Sequence, residues 1–281
     1  MSSVLVAGAT GRIGRPVAEL LLSRGHRVRA AVRDPQSAAA AELARSGAEV
    51  VVADFDDVAG LAEAARGTSA VVAAGTAHRA GPEGERRHGE NVAEAVARAG
   101  AGLLVYVSGA GADRPTGVPV LESKRAVEQR IAQLDLPATI LAPAYFMENA
   151  FNPWNLAALA RGAFPLALPA DRPLQQVAVG DVVAMAALAA ERPDELAGRR
   201  IEIASDELTG VEAAEQLTRA TGRPYVFERT PAEQLAAPLQ LLFAWLDAVG
   251  FDIDLRALHE RHPEVGWRSF ERWAAAQSWP G

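Results

Sequence analysis

Three glycines, two arginines and one lysine carry most of the chemistry this sequence offers. Near the amino terminus, Val4-Leu5-Val6-Ala7-Gly8-Ala9-Thr10-Gly11-Arg12-Ile13-Gly14 places glycines at 8, 11 and 14. An apolar strand leads into this run, and a helix with Ile13, Val17, Leu20 and Leu21 on one face follows it. In that setting Gly8 permits a tight turn, Gly11 lets the backbone approach a pyrophosphate, and Gly14 lets the helix pack close to the strand. The helix N-terminus then turns free N–H groups and a positive dipole end toward the phosphates. Gly8, Thr10, Gly11, Arg12, Ile13 and Gly14 are the expected pyrophosphate cradle. An ordinary strand-to-helix turn uses the same glycines, but the strand before and the helix after, at the start of a βαβ series, are the context the motif requires.

The end of the second strand tests which dinucleotide would bind. An acidic residue there bonds the ribose 2′-OH of NAD, whereas an arginine favours the 2′-phosphate of NADP. The strand closes Ala30-Ala31-Val32-Arg33, so Arg33 is the candidate phosphate clamp, with Arg12 reaching the same group from the other side. NADP(H) is the expected cofactor; Asp34, directly after Arg33, keeps NAD(H) open. Asp54, ending the third strand, reads either as a partner for the adenine amino group or, with Asp56 and Asp57, as a helix N-cap.

Further along, Leu121-Glu122-Ser123-Lys124-Arg125-Ala126-Val127-Glu128 opens a helix whose apolar stripe is Val127, Ile131 and Leu134. Lys124 heads that stripe. Either it snorkels or pairs with Glu128, or its ammonium holds the nicotinamide ribose hydroxyls and steadies negative charge developing in hydride transfer.

These residues need a scaffold, and the pattern supplies one. Short apolar runs at 4–7, 28–32, 50–53, 70–74, 103–107 and 139–141 alternate with helical segments that stop at Gly25, Gly47, Gly67 and Gly100, while Pro16 fits a first helical turn. This predicts an α/β fold, a Rossmann-type doubly wound parallel sheet over residues 1–150, with 177–205 returning to it through a helix from Asp181 to Glu191 and a strand from Arg200 to Ala204. The segment from Gly75 to Gly89, carrying His78, reads as a mobile loop, and Asn149 to Asp171 as an irregular excursion. Residues 151–176 and 206–281 form a smaller, mostly helical C-terminal lobe, with helices at 211–220, 232–249, 255–261 and 267–277 and one strand at 225–228. Its expected place is over the carboxyl ends of the strands, as a substrate-binding lobe. Phe151, Trp154, Phe243 and Trp245 there are either a hydrophobic cleft or the lobe's own core.

Bulk properties narrow the class. The 281 residues are 49% apolar, enough for a large core and an appendage, and there is no cysteine for a disulfide, thiolate metal site or nucleophile. A net charge of −7 spread along the chain disfavours direct nucleic-acid binding. Without a basic amino-terminal region, and with Val182 to Ala190 as the longest apolar run, neither export nor a membrane is expected, which makes the cytoplasm the expected location. No His-pair spacing for zinc and no Gly-x-Ser-x-Gly elbow speaks for a hydrolase.

Taken together, Gly-Ala-Thr-Gly-Arg-Ile-Gly, Val-Arg-Asp-Pro, Asp54-Phe55-Asp56-Asp57, Ser-Gly-Ala-Gly, Glu-Ser-Lys, Pro-Ala-Tyr-Phe-Met-Glu-Asn, Asp206-Glu207-Leu208-Thr209-Gly210 and the Trp-rich terminal helix resemble the NmrA-like branch of the atypical short-chain dehydrogenases/reductases. The resemblance spans nearly the whole chain. It implies a domain that binds NADP(H), a small lobe closing a substrate cleft, and Lys124 beside the nicotinamide. Ser108, ending the fifth strand, matches the wider superfamily's active-site serine, and Asn91 its central-helix asparagine; both are equally readable as locally satisfied polar groups.

One departure matters. Where classical members carry a tyrosine proton donor, four residues before the lysine, this chain has Val120. Tyr145, just past the sixth strand, is a replacement donor candidate or a core aromatic against Phe146 and Trp154, and His78 is a weaker one. Two functions follow. The first is an NADPH-dependent reductase of a small activated acceptor, a quinone, enone, imine or carbonyl, with Lys124, Tyr145 and Ser108 as its catalytic set. The second is a catalytically silent NADP(H) sensor acting through a regulatory protein partner. A homodimer is compatible with either.

Overall fold

The computed structural model describes residues 2–75 and 77–280; the side chains of 77–79, and with them His78, lie outside the described residues. Apolar runs become β1 (Ser3–Ala7), β2 (Arg27–Val32), β3 (Glu49–Val52), β4 (Ala70–Ala74), β5 (Leu104–Val107) and β6 (Ala138–Pro143), joined through α1 (Gly14–Ser23), α2 (Ala38–Arg45), α3 (Val58–Ala65), α4 (Ala77–Ala99) and α5 (Pro119–Gln133). Beyond them come β7 (Tyr145–Phe146), α6 (Leu156–Ala160), β8 (Ala163–Leu166), β9 (Leu174–Val177), α7 (Val179–Glu191), α8 (Pro193–Leu196), β10 (Arg200–Ile203), β11 (Asp206–Leu208), α9 (Gly210–Thr221), β12 (Val226–Arg229), α10 (Ala237–Ala248), α11 (Leu255–Arg261) and α12 (Phe270–Ala275).

The main sheet has seven strands in the order β10-β6-β5-β4-β1-β2-β3. Its strands run parallel, with Val6 level with Ala30 on one side and Val72 on the other. All four residues of β5 are buried, as expected of a central strand with both faces covered. The order reverses between β1 and β4, and ligands of such sheets bind in the crevice beyond the carboxyl ends at that switch point. The expected doubly wound sheet is therefore present, and β10 is the returning strand.

Chain contacts divide the molecule into two compact units. The first comprises residues 1–115, 119–142 and 182–201, and the second 116–118, 143–181 and 202–281. On one face of the first unit's sheet, Leu5, Val71, Leu104 and Tyr106 pack with Val92 and Val96 of α4 and Val127 and Ile131 of α5. The second unit has its own core of Met147, Leu159, Phe164, Leu217, Phe270 and Trp273. Within it the fully buried Asp181 accepts from the Ser205 hydroxyl at 2.6 Å and from the Arg268 amide at 3.0 Å, and pairs with the Arg268 guanidinium.

Three expectations need correction. The segment from Gly75 to Gly89 is not a loop, because α4 runs through most of it, broken only at Gly81 (φ 67°, ψ −179°) ahead of Pro82. Its glycines and charges blur the helical pattern, yet packing on α5 holds it: a Cβ on Gly89 would lie 2.5 Å from Val127 Cγ2. The excursion at 149–171 contains α6 and β8, and β8 pairs in parallel with β12. The long helix read at 232–249 is a short 3-10 turn (Ala232–Gln234) followed by α10, which starts afresh with Pro238 in its first turn. Of the four lobe aromatics, Phe151 lies tilted against Trp279 with ring centres 4.7 Å apart, Phe243 and Trp245 are buried, and Trp154 is 55% exposed. No helix among the described residues is long and apolar enough to cross a membrane.

Candidate functional site

The glycine turn is built around one carbonyl oxygen. Gly8, at φ 72°, turns its C=O back so that it accepts the Gly11 amide at 2.9 Å. A Cβ on Gly14 would come within 2.3 Å of that same oxygen, and one on Gly11 within 3.1 Å. The spacing of the three glycines is thus a steric demand of the first βα turn, which allows α1 to start hard against β1. Ile13 is the N-cap of α1 and makes no side-chain cap, and no acidic residue lies in the first turn, so the helix's own first turn does not offset its positive end. Thr10 and Arg12 are exposed on this turn. The arrangement suits a bound anion such as a pyrophosphate.

At the end of β2, Arg33 is exposed and forms no ion pair among the described residues. Asp34 turns inward on its own chain, its carboxylate accepting the Gln36 amide at 2.9 Å and its carbonyl the Ser37 hydroxyl at 2.8 Å. Asp54 does likewise with the Asp56 amide at 2.9 Å, and the N-cap of α3 is Asp57 instead. Phe55 lies over the turn, since a Cβ on Gly8 would meet its ring at 3.3 Å. Asn91 of α4 fixes that loop by donating to the Phe55 carbonyl at 2.8 Å, so its amide is satisfied by backbone.

Lys124 sits deeper. Its Nζ donates to Glu85 Oε1 at 2.8 Å and lies 3.4 Å from the Val107 carbonyl and 5.8 Å from the centre of the Tyr106 ring. Glu85 is only 1% exposed. The pair meets at the carboxyl end of β4, where a Cβ on Gly75 would fall 2.2 Å from Glu85 Oε1 and 2.8 Å from Lys124 Nζ. Glu128, the alternative partner, is occupied elsewhere: it accepts from the buried Ser108 hydroxyl and, at 2.9 Å, from Arg200 Nε. Arg200 in turn donates to the Gly109 carbonyl at 3.1 Å, so Ser108, Glu128 and Arg200 tie the β5 end to β10.

A family model of the NmrA-like family matches residues 1–252, most of the chain. The chain belongs to the NmrA-like family. It is 34% identical, over 80% of its length and 76% of the relative's, to the (4-alkanoyl-5-oxo-2,5-dihydrofuran-3-yl)methyl phosphate reductase of Streptomyces griseus. In fold it resembles the NADPH-dependent quinone oxidoreductase of Escherichia coli solved with NADPH (TM-score 0.81, 23% identity, 97% and 98% of the two chains). It also resembles NmrA, a negative transcriptional regulator (TM-score 0.77, 20% identity, 98% and 95%).

In this NmrA-like chain Val120 occupies the first turn of α5. Tyr145 lies in β7 of the second unit, level with Gln176 of β9, its ring 5.9 Å from that of Phe243. Glu85 and Arg200 escaped the sequence reading. Glu85 stands among charged neighbours, but its spacing to Gly89, Val92 and Val96 puts it at the head of the buried stripe of α4, just as Lys124 heads that of α5. Among the described residues no cluster of His, Asp and Glu suits a metal ion.

Proposed function

We propose that this NmrA-like chain is an NADPH-dependent reductase of a small activated acceptor: a quinone, enone, imine or carbonyl. The observation that carries the reading is the buried Lys124–Glu85 pair at the carboxyl end of β4, beside the switch point of the sheet. A lysine ordered there by a carboxylate can steady negative charge on a reduced acceptor and give it a proton. The glycine turn and the N-terminus of α1 hold the pyrophosphate, Arg33 and Arg12 bind the 2′-phosphate, and Asp54 borders the adenine. A bound NADPH supplies the hydride. Tyr145 is the second proton-donor candidate. Ser108, whose hydroxyl is given to Glu128, fits a positioning role better than a proton-transfer one.

The missing tyrosine at Val120 favours acceptors that need little acid assistance, and the names of the relatives agree with this. One is a reductase of a conjugated 5-oxo-2,5-dihydrofuran and the other a quinone oxidoreductase. The test is NADPH consumption over a panel of such acceptors. Lys124→Ala is expected to lower kcat/KM about 100-fold. Because it removes the cation beside the buried Glu85 carboxylate, the comparison is repeated in a Glu85→Gln background with folding checked. Turnover as fast as the parent's would remove the lysine from the mechanism.

The second reading, a silent NADP(H) sensor with a protein partner, is favoured by the same absence at Val120. Such a sensor must bind NADP and NADPH with different affinity; equal dissociation constants in separate titrations dismiss it.

A further inference from the structure

A small pocket lies beside Glu85. Glu85, His88 and Val92 of α4, Gly75, Phe55 and Tyr106 line it, and the space among them is roughly that of one water molecule. Tyr106 is 2% exposed, and its hydroxyl has no hydrogen-bond partner among the described residues. Such orphaned hydroxyls are rare in folded cores, and a bound water is their usual partner. Burial first, then the Glu85 and Glu128 carboxylates, hold the Tyr106 phenol well above the usual tyrosine range, so it keeps its proton and remains a donor.

We propose that this pocket is a water site serving Lys124: one water bridges the Tyr106 hydroxyl and the Glu85 carboxylate, and through it Lys124 regains each proton that it delivers. This rests on the reductase reading above. When an N–H bond of Lys124 breaks and its proton forms an O–H or N–H bond on the reduced acceptor, a neutral amine is left beside Glu85. The bridging water passes a proton along the Glu85 carboxylate to that amine and is reprotonated from solvent at the His88 end. One proton enters for each one delivered, and no electron moves. The charged and titratable groups around the site are Glu85 and His88 on α4, Lys124 and Glu128 on α5, Tyr106 on β5, and Asp56, which faces His88 at 3.5 Å and Arg87 at 2.8 Å. Glu85 and Tyr106 are thus positioning residues, acting through Lys124.

The first test needs no cofactor. Tyr106→Phe should melt about 2–4 °C below the parent if the hydroxyl holds a water; melting at or above the parent temperature means an orphaned hydroxyl and overturns the site. A crystal structure with ordered solvent should place a water within hydrogen-bond reach of Tyr106 Oη and a Glu85 oxygen, and clear density without one overturns it equally. The second test reads delivery. With a turned-over acceptor, Tyr106→Phe and Glu85→Gln should lower kcat several-fold at nearly constant KM and raise the solvent deuterium isotope effect on kcat. An unchanged isotope effect in both variants removes the delivery role while the reductase reading stands. If the parent reduces no acceptor at all, the reductase reading falls and the delivery role with it, and the melting comparison still decides the water site.

Discussion

Arg33 and Asp34 are neighbours with opposite fates. The arginine is exposed without an ion pair among the described residues, while the carboxylate is committed to the Gln36 amide. Reversing the charge should therefore change cofactor choice: Arg33→Asp is expected to weaken NADPH binding tenfold or more and leave NADH nearly unaffected, measured by titrating both. An unchanged ratio would reassign the 2′-phosphate contact. Tyr106 gives a pH prediction. Its phenol titrates higher folded than unfolded, so its share of stability is fully present below about pH 10 and is lost as pH rises toward the folded value, at about 1.4 kcal/mol per pH unit. Alkaline unfolding of Tyr106→Phe should show a correspondingly shallower slope. Lys124 was legible in the sequence because a cation at the head of an apolar stripe stands out. Glu85 was not, because its neighbours are charged too and its burial depends on a partner 39 positions away.

At the scale of elements, the first βα turn admits little variation. Gly14→Ala would drive a methyl to 2.3 Å from the Gly8 oxygen, where backbone and not a flexible side chain must yield. The expected cost is about 1–3 kcal/mol, seen as a lower melting temperature, together with weakened dinucleotide binding; a variant that melts and binds like the parent would disprove the packing argument. Strands were the easiest elements to foresee, since buried parallel strands read as continuous apolar runs. The start of α4 was the hardest. Pro82 and the glycines at 81, 84 and 89 mimic loop chemistry, and tertiary contacts, with α5, with α3 and with Phe55 and Asp56 before it, make that segment helical. The Glu85 half of the candidate site was hidden for the same reason.

For the whole molecule, each unit contains an ion pair built on a buried carboxylate, Lys124–Glu85 in one and Asp181–Arg268 in the other. Asp181→Ala takes the acceptor from the Ser205 hydroxyl and the Arg268 amide and should cost about 1–3 kcal/mol in thermal or denaturant unfolding; an unchanged stability would mean that the carboxylate is dispensable. The sheet itself is assembled out of order. β6 pairs on one side with β5, but its other side is met only by β10, with Ile140 donating to the Arg199 carbonyl at 2.8 Å and Ala144 to that of Ile203 at 2.9 Å. During synthesis, at about 5–20 residues per second, β6 leaves the ribosome roughly 3–12 s before the strand that covers it. For that interval a nascent chain carries a bare, apolar strand edge, the kind of surface on which chains pair with one another.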